Sequence, residues 1–485
     1  MVARRERILI LGATILTLDG ADTVHQPGDV LIEDGRIAAV GRVAPAEAAR
    51  CDRVIEGRNR LAVPGLVNAH THSPLNLTKG TGERLSHPAF MWLNQADTAH
   101  RTRREIYVSA MLGCIEMLRT GTTAVIDNFP EQTFGLEDVE AVVSAYRDGG
   151  MRAVVALRTF DGEYGDIFPA DGSVPEGLSA DLRRLSPLRP RPVEELRDLC
   201  AEAIRRLHGA EGRIGIFPAP SNPSRCSDAL LRMSQELAER HGVGVHTHLL
   251  ETRIQAEIAR RQYGCTMVQH LERLGLLTPR LSCAHTIWIE EEDIGRMADR
   301  GAVVVHNPES NLKIGTGFAP IPEMVARGVP VALGTDGGST NDNQILQNAM
   351  QLATIVHRPR EPQRDRWITA RDALRMATEG GARAMLLEDA IGCIAVGRRA
   401  DLALYDLTAP WWTPLNDPVQ QFVHSENGSS VDTVLVDGRV VVEGGRITAF
   451  DADAILAEAR PMLQAIRERN RDLLELARRM AEVVP

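Results

Sequence analysis

Two hydrophobic rhythms divide this chain of 485 residues. Near its start, and again after about residue 390, apolar side chains come in short strand-like runs broken by turn pairs. Ile8 to Leu18 and Asp29 to Ile32 read as strands, and Asp34-Gly35 is a hairpin turn signal. Asp401 to Tyr405 and Val431 to Val436 repeat the pattern, with Asp437-Gly438 as a second hairpin turn before Arg439 to Val442. In the long middle, short apolar runs are followed by amphipathic helical stretches such as Val193 to Leu207 and Asp228 to Glu239. The apolar runs are Leu66 to Ala69, Thr123 to Asp127, Ala153 to Leu157, Ile214 to Phe217, Gly244 to His248, Leu281 to Ala284, Ala302 to Val305 and Val331 to Leu333.

Eight strand–helix units in succession predict an α/β fold, a (β/α)8 TIM barrel with insertions, over residues 61–388. An open doubly wound sheet is the alternative on pattern alone. The β-rich ends, 1–60 and 389–450, predict one small β-sandwich domain built from both termini, and 451–485 reads as a helical tail packed on the outside.

Composition narrows the function. Hydrophobic residues at 44% and charged residues at 25% describe a soluble globular protein. A formal net charge of -10 with no basic stripe argues against nucleic acid or an anionic membrane surface as partner. The opening MVARRERILILGATILTLDG mimics a secretory signal, but it runs into Leu18-Asp19-Gly20 without a small-residue cleavage pattern, and a strand fits better. No apolar stretch is long enough to span a bilayer. Seven scattered cysteines without a CxxC pair point to free thiols in a reducing compartment, hence a cytoplasmic location. Lys79 and Lys313 are the only lysines.

In a barrel of this kind the working groups stand at the C-terminal ends of the strands. Asn68-Ala69-His70-Thr71-His72 follows the first predicted strand, and histidines at i and i+2 on extended chain point the same way, so both can reach one ion. Val245-His246-Thr247-His248-Leu249-Leu250-Glu251 stands at the end of the fifth, Cys283-Ala284-His285 at the sixth, and Gly334-Thr335-Asp336-Gly337 at the eighth. Each stretch alone has an ordinary structural explanation: a hydrogen-bonded core histidine, or an aspartate in a turn. Their joint placement at strand ends is what points to a metal. Three histidines and a carboxylate suit zinc or ferrous iron, and such an ion lowers the pKa of bound water from about 15.7 to near 7.

PGLVNAHTH, then HTHLLE, then a histidine on the sixth strand, then GTDGG resembles the amidohydrolase superfamily. More narrowly the chain is similar to the branch of aminohydrolases and chlorohydrolases that holds S-adenosylhomocysteine/methylthioadenosine deaminases and triazine hydrolases. His306-Asn307-Pro308-Glu309-Ser310-Asn311-Leu312-Lys313 and Ile391-Gly392 through Asp401-Leu402 extend the similarity over nearly the whole chain. The resemblance implies that His70, His72, His248 and Asp336 ligate one divalent ion, zinc in the first place, with iron or manganese as alternatives. It implies that Glu251 shuttles protons, that His285 holds the attacking oxygen or the attacked centre, and that Asp336 also takes a proton from the attacking water. His246 competes with His248 for the ligand position, and the family's spacing to Glu251 favours His248. Binuclear members carry a carboxylated lysine at the end of strand four. Here Ile214-Gly215-Ile216-Phe217-Pro218 has none, which favours one ion.

The implied reaction is hydrolytic deamination of an aromatic nitrogen heterocycle of purine, pyrimidine, pterin or triazine type by a metal-bound hydroxide. Hydrolysis of a cyclic amide or dechlorination of a triazine at the same mononuclear site is the alternative, and a binding protein that has lost catalysis is a third. Candidate substrate contacts are Trp92, Asn128, Arg158, Ser221, Asn222, His306 and Asn311. Trp92 either stacks on a planar ring or fills the core, and Arg158 either meets an anionic or carbonyl group or is structural. Nucleoside-type members show a Pro-His pair after strand four, where this chain has Pro220-Ser221, so an adenosine-like substrate is put in doubt. Dimers or tetramers are common among the proteins it resembles, so a homo-oligomer is among the expectations.

Overall fold

The computed structural model describes residues 6–129, 134–162 and 174–483. Five strands open the chain: β1 (Ile8–Leu16), β2 (Val24–Glu33), β3 (Arg36–Gly41), β4 (Arg53–Glu56) and β5 (Arg60–Pro64). Eight strands of the middle follow: β6 (Leu66–Thr71), β7 (Thr122–Phe129), β8 (Arg152–Thr159), β9 (Ile214–Pro220), β10 (Val245–Leu249), β11 (Leu281–His285), β12 (Val303–His306) and β13 (Val331–Leu333). Four more close the series: β14 (Leu402–Asp406), β15 (Val431–Val436), β16 (Arg439–Glu443) and β17 (Arg446–Ile447).

The two ends share one nine-stranded mixed sheet, ordered β17-β16-β15-β14-β5-β1-β2-β3, with β4 paired to β1. They join where β14 runs antiparallel to β5, Ala403 opposite Val63. Alternation gives this sheet its own core of Ile8, Ile10, Ile15, Val30, Ile32, Leu402, Leu404 and Leu435. Both Asp-Gly pairs make the hairpin turns expected of them. Asp34 and Gly35 have φ of 50° and 77°, Asp437 and Gly438 of 52° and 72°, the left-handed pair that matches strand twist.

The middle strands form two four-stranded parallel sheets, β6-β7-β8-β9 and β10-β11-β12-β13, each in chain order. Their near-continuous apolar runs are buried on both faces, as parallel strands covered by helices require. The sheet edges meet at both seams. Thr247 Oγ1 donates to the Pro220 carbonyl at 2.7 Å, and the Asp336 amide to the His70 carbonyl at 2.9 Å. The sites at the strand ends are thereby brought to one mouth.

From Asp451, whose side chain caps the first of them, three helices follow: Ala452–Ala459, Met462–Arg469 and Arg471–Val483. The last packs on the His87–Thr98 helix. Among the described residues no helix is long and apolar enough to cross a membrane.

Candidate metal centre and substrate cavity

His70 lies on β6 and His72 one residue past its end, where the chain is still extended (φ -127°, ψ 98°), so the pleat turns both imidazoles to one side. His248 comes from β10, His285 ends β11, and Asp336 stands three residues beyond β13. Asp336 can approach β6 because Gly334 has no side chain: a Cβ there would lie 2.4 Å from Asn307 Oδ1 and 2.8 Å from His70 Cβ. His285 and Asp336 hold φ of 71° and 63°, a left-handed conformation that costs ordinary residues energy and gathers at functional sites.

These groups converge. His72 Nε2 is 3.2 Å from His248 Nε2. Asp336 Oδ1 lies 3.4 Å from His72 Nε2 and 3.6 Å from His70 Nε2, and its Oδ2 lies 3.8 Å from His285 Nε2. The donor atoms of His70, His72 and His248 all fall within 4.8 Å of one another, as do those of His70, His285 and Asp336. The other ring nitrogens are engaged. His72 Nδ1 faces the Asn128 carbonyl at 2.8 Å and His248 Nδ1 the Ser221 carbonyl at 2.7 Å. A carbonyl only accepts, so both Nδ1 atoms carry the hydrogen and the two Nε2 lone pairs are turned toward each other. His285 Nδ1 meets Asn311 Oδ1 at 2.9 Å, while Asp336 is fixed by Ser310 Oγ at 2.6 Å and the Gly337 amide at 2.7 Å.

The donor set fits a cation. His70 Nε2 is buried and has no hydrogen-bond partner among the described residues, an unusual state for a ring nitrogen in a protein interior. Burial, then the neighbouring imidazoles, holds His70 and His248 far below the ordinary histidine range, so both are neutral at pH 7. Burial likewise takes His246 down to about 3. Its Nε2 and Nδ1 are engaged by His70 and Ser282, at 2.8 and 2.7 Å. For Glu251 burial pushes upward, but His285, His87 and His248 outweigh it and hold the carboxyl well below the usual carboxylate range. Its Oε1 lies 3.6 Å from His87 Nε2 and 3.8 Å from His285 Nε2. No lysine stands on β9, and Lys79 and Lys313 are paired elsewhere, with Glu116 and Asp342.

A cavity opens over this cluster, with Glu251, His285, Asp336, His72 and His248 in its wall. Of the residues expected to meet substrate, Arg158 and Asn222 line it. Arg158 Nε also donates to Ser221 Oγ at 2.9 Å. Asn128, Ser221 and Asn311 lie behind the wall and orient His72, His248 and His285. His306 is buried with its ring 5.6 Å from that of His357, and Trp92 sits in the hydrophobic core. The His87–Thr98 helix turns a different face to the cavity: His87, Phe90, Met91 and Asn94. Their i, i+3, i+4, i+7 spacing is the signal that identifies this face in the sequence, and Trp92 lies off it. Arg225 and Gln255 also line the cavity, and no local pattern marks them.

The amidohydrolase family model matches residues 61–441. A 5'-deoxyadenosine deaminase of Methanothermobacter thermautotrophicus is 34% identical over 463 residues, covering 94% of this chain and 98% of that protein. A 5-methylthioadenosine/S-adenosylhomocysteine deaminase of Syntrophobacter fumaroxidans is 34% identical over 478 residues, covering 96% and 100%. Among solved structures, a zinc-complexed atrazine chlorohydrolase of Arthrobacter aurescens superposes with a TM-score of 0.83 at 27% identity, covering 94% of this chain and 100% of that one. An adenosine deaminase of Xanthomonas campestris with bound zinc gives 0.82 at 29% identity, covering 96% and 98%.

Proposed function

Since this chain belongs to the amidohydrolase family and is a hydrolase of carbon–nitrogen bonds, we propose that it hydrolytically deaminates an aromatic nitrogen heterocycle, with one divalent ion held by His70, His72, His248 and Asp336. The observation that carries this is a buried carboxylate set beside the histidine–aspartate cluster: Glu251 shares the cavity wall with Asp336 and lies 3.8 Å from His285. Zinc is the preferred ion, being the one bound in two solved relatives. Bound there, it supplies Lewis acidity that makes water a competent nucleophile near neutral pH.

The chain's own residues do the rest. Asp336, clamped by Ser310 and Gly337, accepts a proton from the attacking water. His285, fixed by Asn311, hydrogen-bonds the incoming oxygen. Glu251, itself ionised, would take up one proton of the attacking water and give it to a ring nitrogen, then relay the proton accepted by Asp336 to the departing amine, so that both protons of the water are used and ammonia rather than amide ion leaves. His87, Phe90, Met91 and Asn94 wall the ring, with Arg158 and Asn222 in the same cavity. The relatives named as deaminases of adenosine compounds favour a purine, while Ser221 after β9 tells against a nucleoside recognised through histidine at that position.

The atrazine chlorohydrolase likeness favours one second reading, displacement of chloride from a triazine at the same site. Zinc-supplemented protein incubated with a panel of aminated purines, pyrimidines, pterins and triazines separates the two. Ammonia from at least one ring is expected. Chloride from chlorotriazines, with no ammonia from any aminated ring, would replace the first reading by the second.

On the same footing we take the two parallel sheets as halves of one closed (β/α)8 barrel over 61–388. The nine-stranded sheet then folds over its core as a small sandwich from 1–60 and 389–450, with 451–485 as a helical tail. The adjoining seams support closure. All seven cysteines are free and five are buried, which supports a reducing compartment such as the cytoplasm.

A further inference from the structure

His72 and His248 direct Nδ1 to backbone carbonyls, but His70 directs it to another imidazole. His70 Nδ1 is 2.8 Å from His246 Nε2, His246 Nδ1 is 2.7 Å from Ser282 Oγ, and Ser282 Oγ is 3.4 Å from the Val245 carbonyl. His70 and His246 are wholly buried and Ser282 nearly so. We propose that His246 and Ser282 are positioning residues that set the tautomer of His70 and thereby make it a ligand. This rests on the reading above that His70 holds the ion.

The direction of the chain follows from bookkeeping of hydrogens. To offer its Nε2 lone pair, a neutral His70 must carry its hydrogen on Nδ1. That hydrogen points at His246 Nε2, which must therefore be bare, so His246 is protonated on Nδ1 and donates to Ser282 Oγ. The hydroxyl hydrogen is then left for the Val245 carbonyl. Reversing any link would put a hydrogen on His70 Nε2 and block it. His246 is also excluded as a ligand, because both its nitrogens are used within the chain. A histidine that ligates a metal commonly has a carboxylate behind it, which adds negative charge to the ligand. Here the relay is neutral throughout, so His70 is oriented without offsetting the charge of the cation.

Zinc affinity, measured by competition with a chromophoric chelator in the absence of substrate, tests this without reference to turnover. His246→Ala, folded by circular dichroism, should bind zinc roughly 10–100-fold more weakly; Ser282→Ala should lose less, and His72→Ala should lose the ion altogether. Wild-type affinity in His246→Ala would overturn the relay while His72→Ala still loses zinc, and a His72→Ala protein that keeps wild-type affinity would instead overturn the site. Should His246→Ala fail to fold, nitrogen chemical shifts of histidine-labelled, zinc-loaded wild-type protein decide the matter. The relay requires the hydrogen on Nδ1 of both His70 and His246, and a hydrogen on His246 Nε2 would refute it.

Discussion

Glu251 and Asp336 line the same cavity with different partners. Asp336 is held by Ser310 Oγ and the Gly337 amide, a fixed setting that suits a metal ligand. Glu251 faces His87 and His285 across 3.6 and 3.8 Å, a looser setting that suits a group that moves protons. Glu251→Gln should keep zinc and lose about 10²–10⁴ in kcat, the usual contribution of a general acid–base; normal turnover with bound zinc would contradict the assignment. A third carboxyl, Glu309, is held up at about 7 by burial, against hydrogen bonds from Asn343, Asn341 and Asn348 that pull it down. Its folded form binds the proton more tightly than the unfolded chain does, so stability should fall as pH rises from about 4.5 through 7. Glu309→Gln should remove that slope and gain up to about 3 kcal/mol above pH 7. Urea unfolding of both proteins at pH 5 and pH 8 measures it, and equal slopes would contradict it. At this scale the sequence displays the histidines and Asp336 because strand alternation and a glycine at a close approach impose fixed spacings. It hides which nitrogen meets which partner: the backbone carbonyls of Asn128 and Ser221 orient two histidines, and a carbonyl has no signature in residue type.

The His87–Thr98 helix couples the cavity to the tail. One face carries His87, Phe90, Met91 and Asn94. Elsewhere on it Asp97, wholly buried, takes Arg467 Nε at 2.7 Å and Nη2 at 2.8 Å, and Asn470 Nδ2 donates to the Ala96 and Ala99 carbonyls at 2.9 and 2.8 Å. Arg467→Ala leaves a carboxylate buried without its cation and should cost on the order of 3 kcal/mol. It should also raise KM with zinc content unchanged, because the wall shifts while the ligands do not. Thermal unfolding and steady-state kinetics check this, and an unchanged Tm and KM would show that the brace is idle. The tail's helices were foreseeable, as were all eight strands of the middle. One strand and one strand end were not. β5 is short and lies between segments of different rhythm, yet it is the strand through which the two ends of the chain meet. β6 runs on to Thr71, so His70 lies within the strand rather than after it.

At the scale of the whole molecule, Arg152 at the start of β8 ties the parallel sheets to the nine-stranded one. Its Nε lies 2.7 Å from Asp401 Oδ2 and its Nη2 3.7 Å from Asp437 Oδ1, all three side chains buried. Arg152→Leu leaves the Asp401 carboxylate without its cation, while Asp437 keeps Arg399 Nη1 at 2.9 Å, and should destabilise the protein by about 3–5 kcal/mol in denaturant titration; a loss under about 1 kcal/mol, the scale of an exposed pair, would show that the junction does not depend on it. This contact, spanning 249 residues of chain, was beyond the reach of local patterns. Periodicity reports which residues face inward, not which distant segments share an interior. The candidate site is the exception, because its four stretches were each recognisable at a strand end. Metal analysis of purified protein after zinc loading and gel filtration reads that site without reference to substrate. One zinc per chain is expected in the wild type and none in His248→Ala or Asp336→Ala. A full equivalent retained in those folded variants would contradict it.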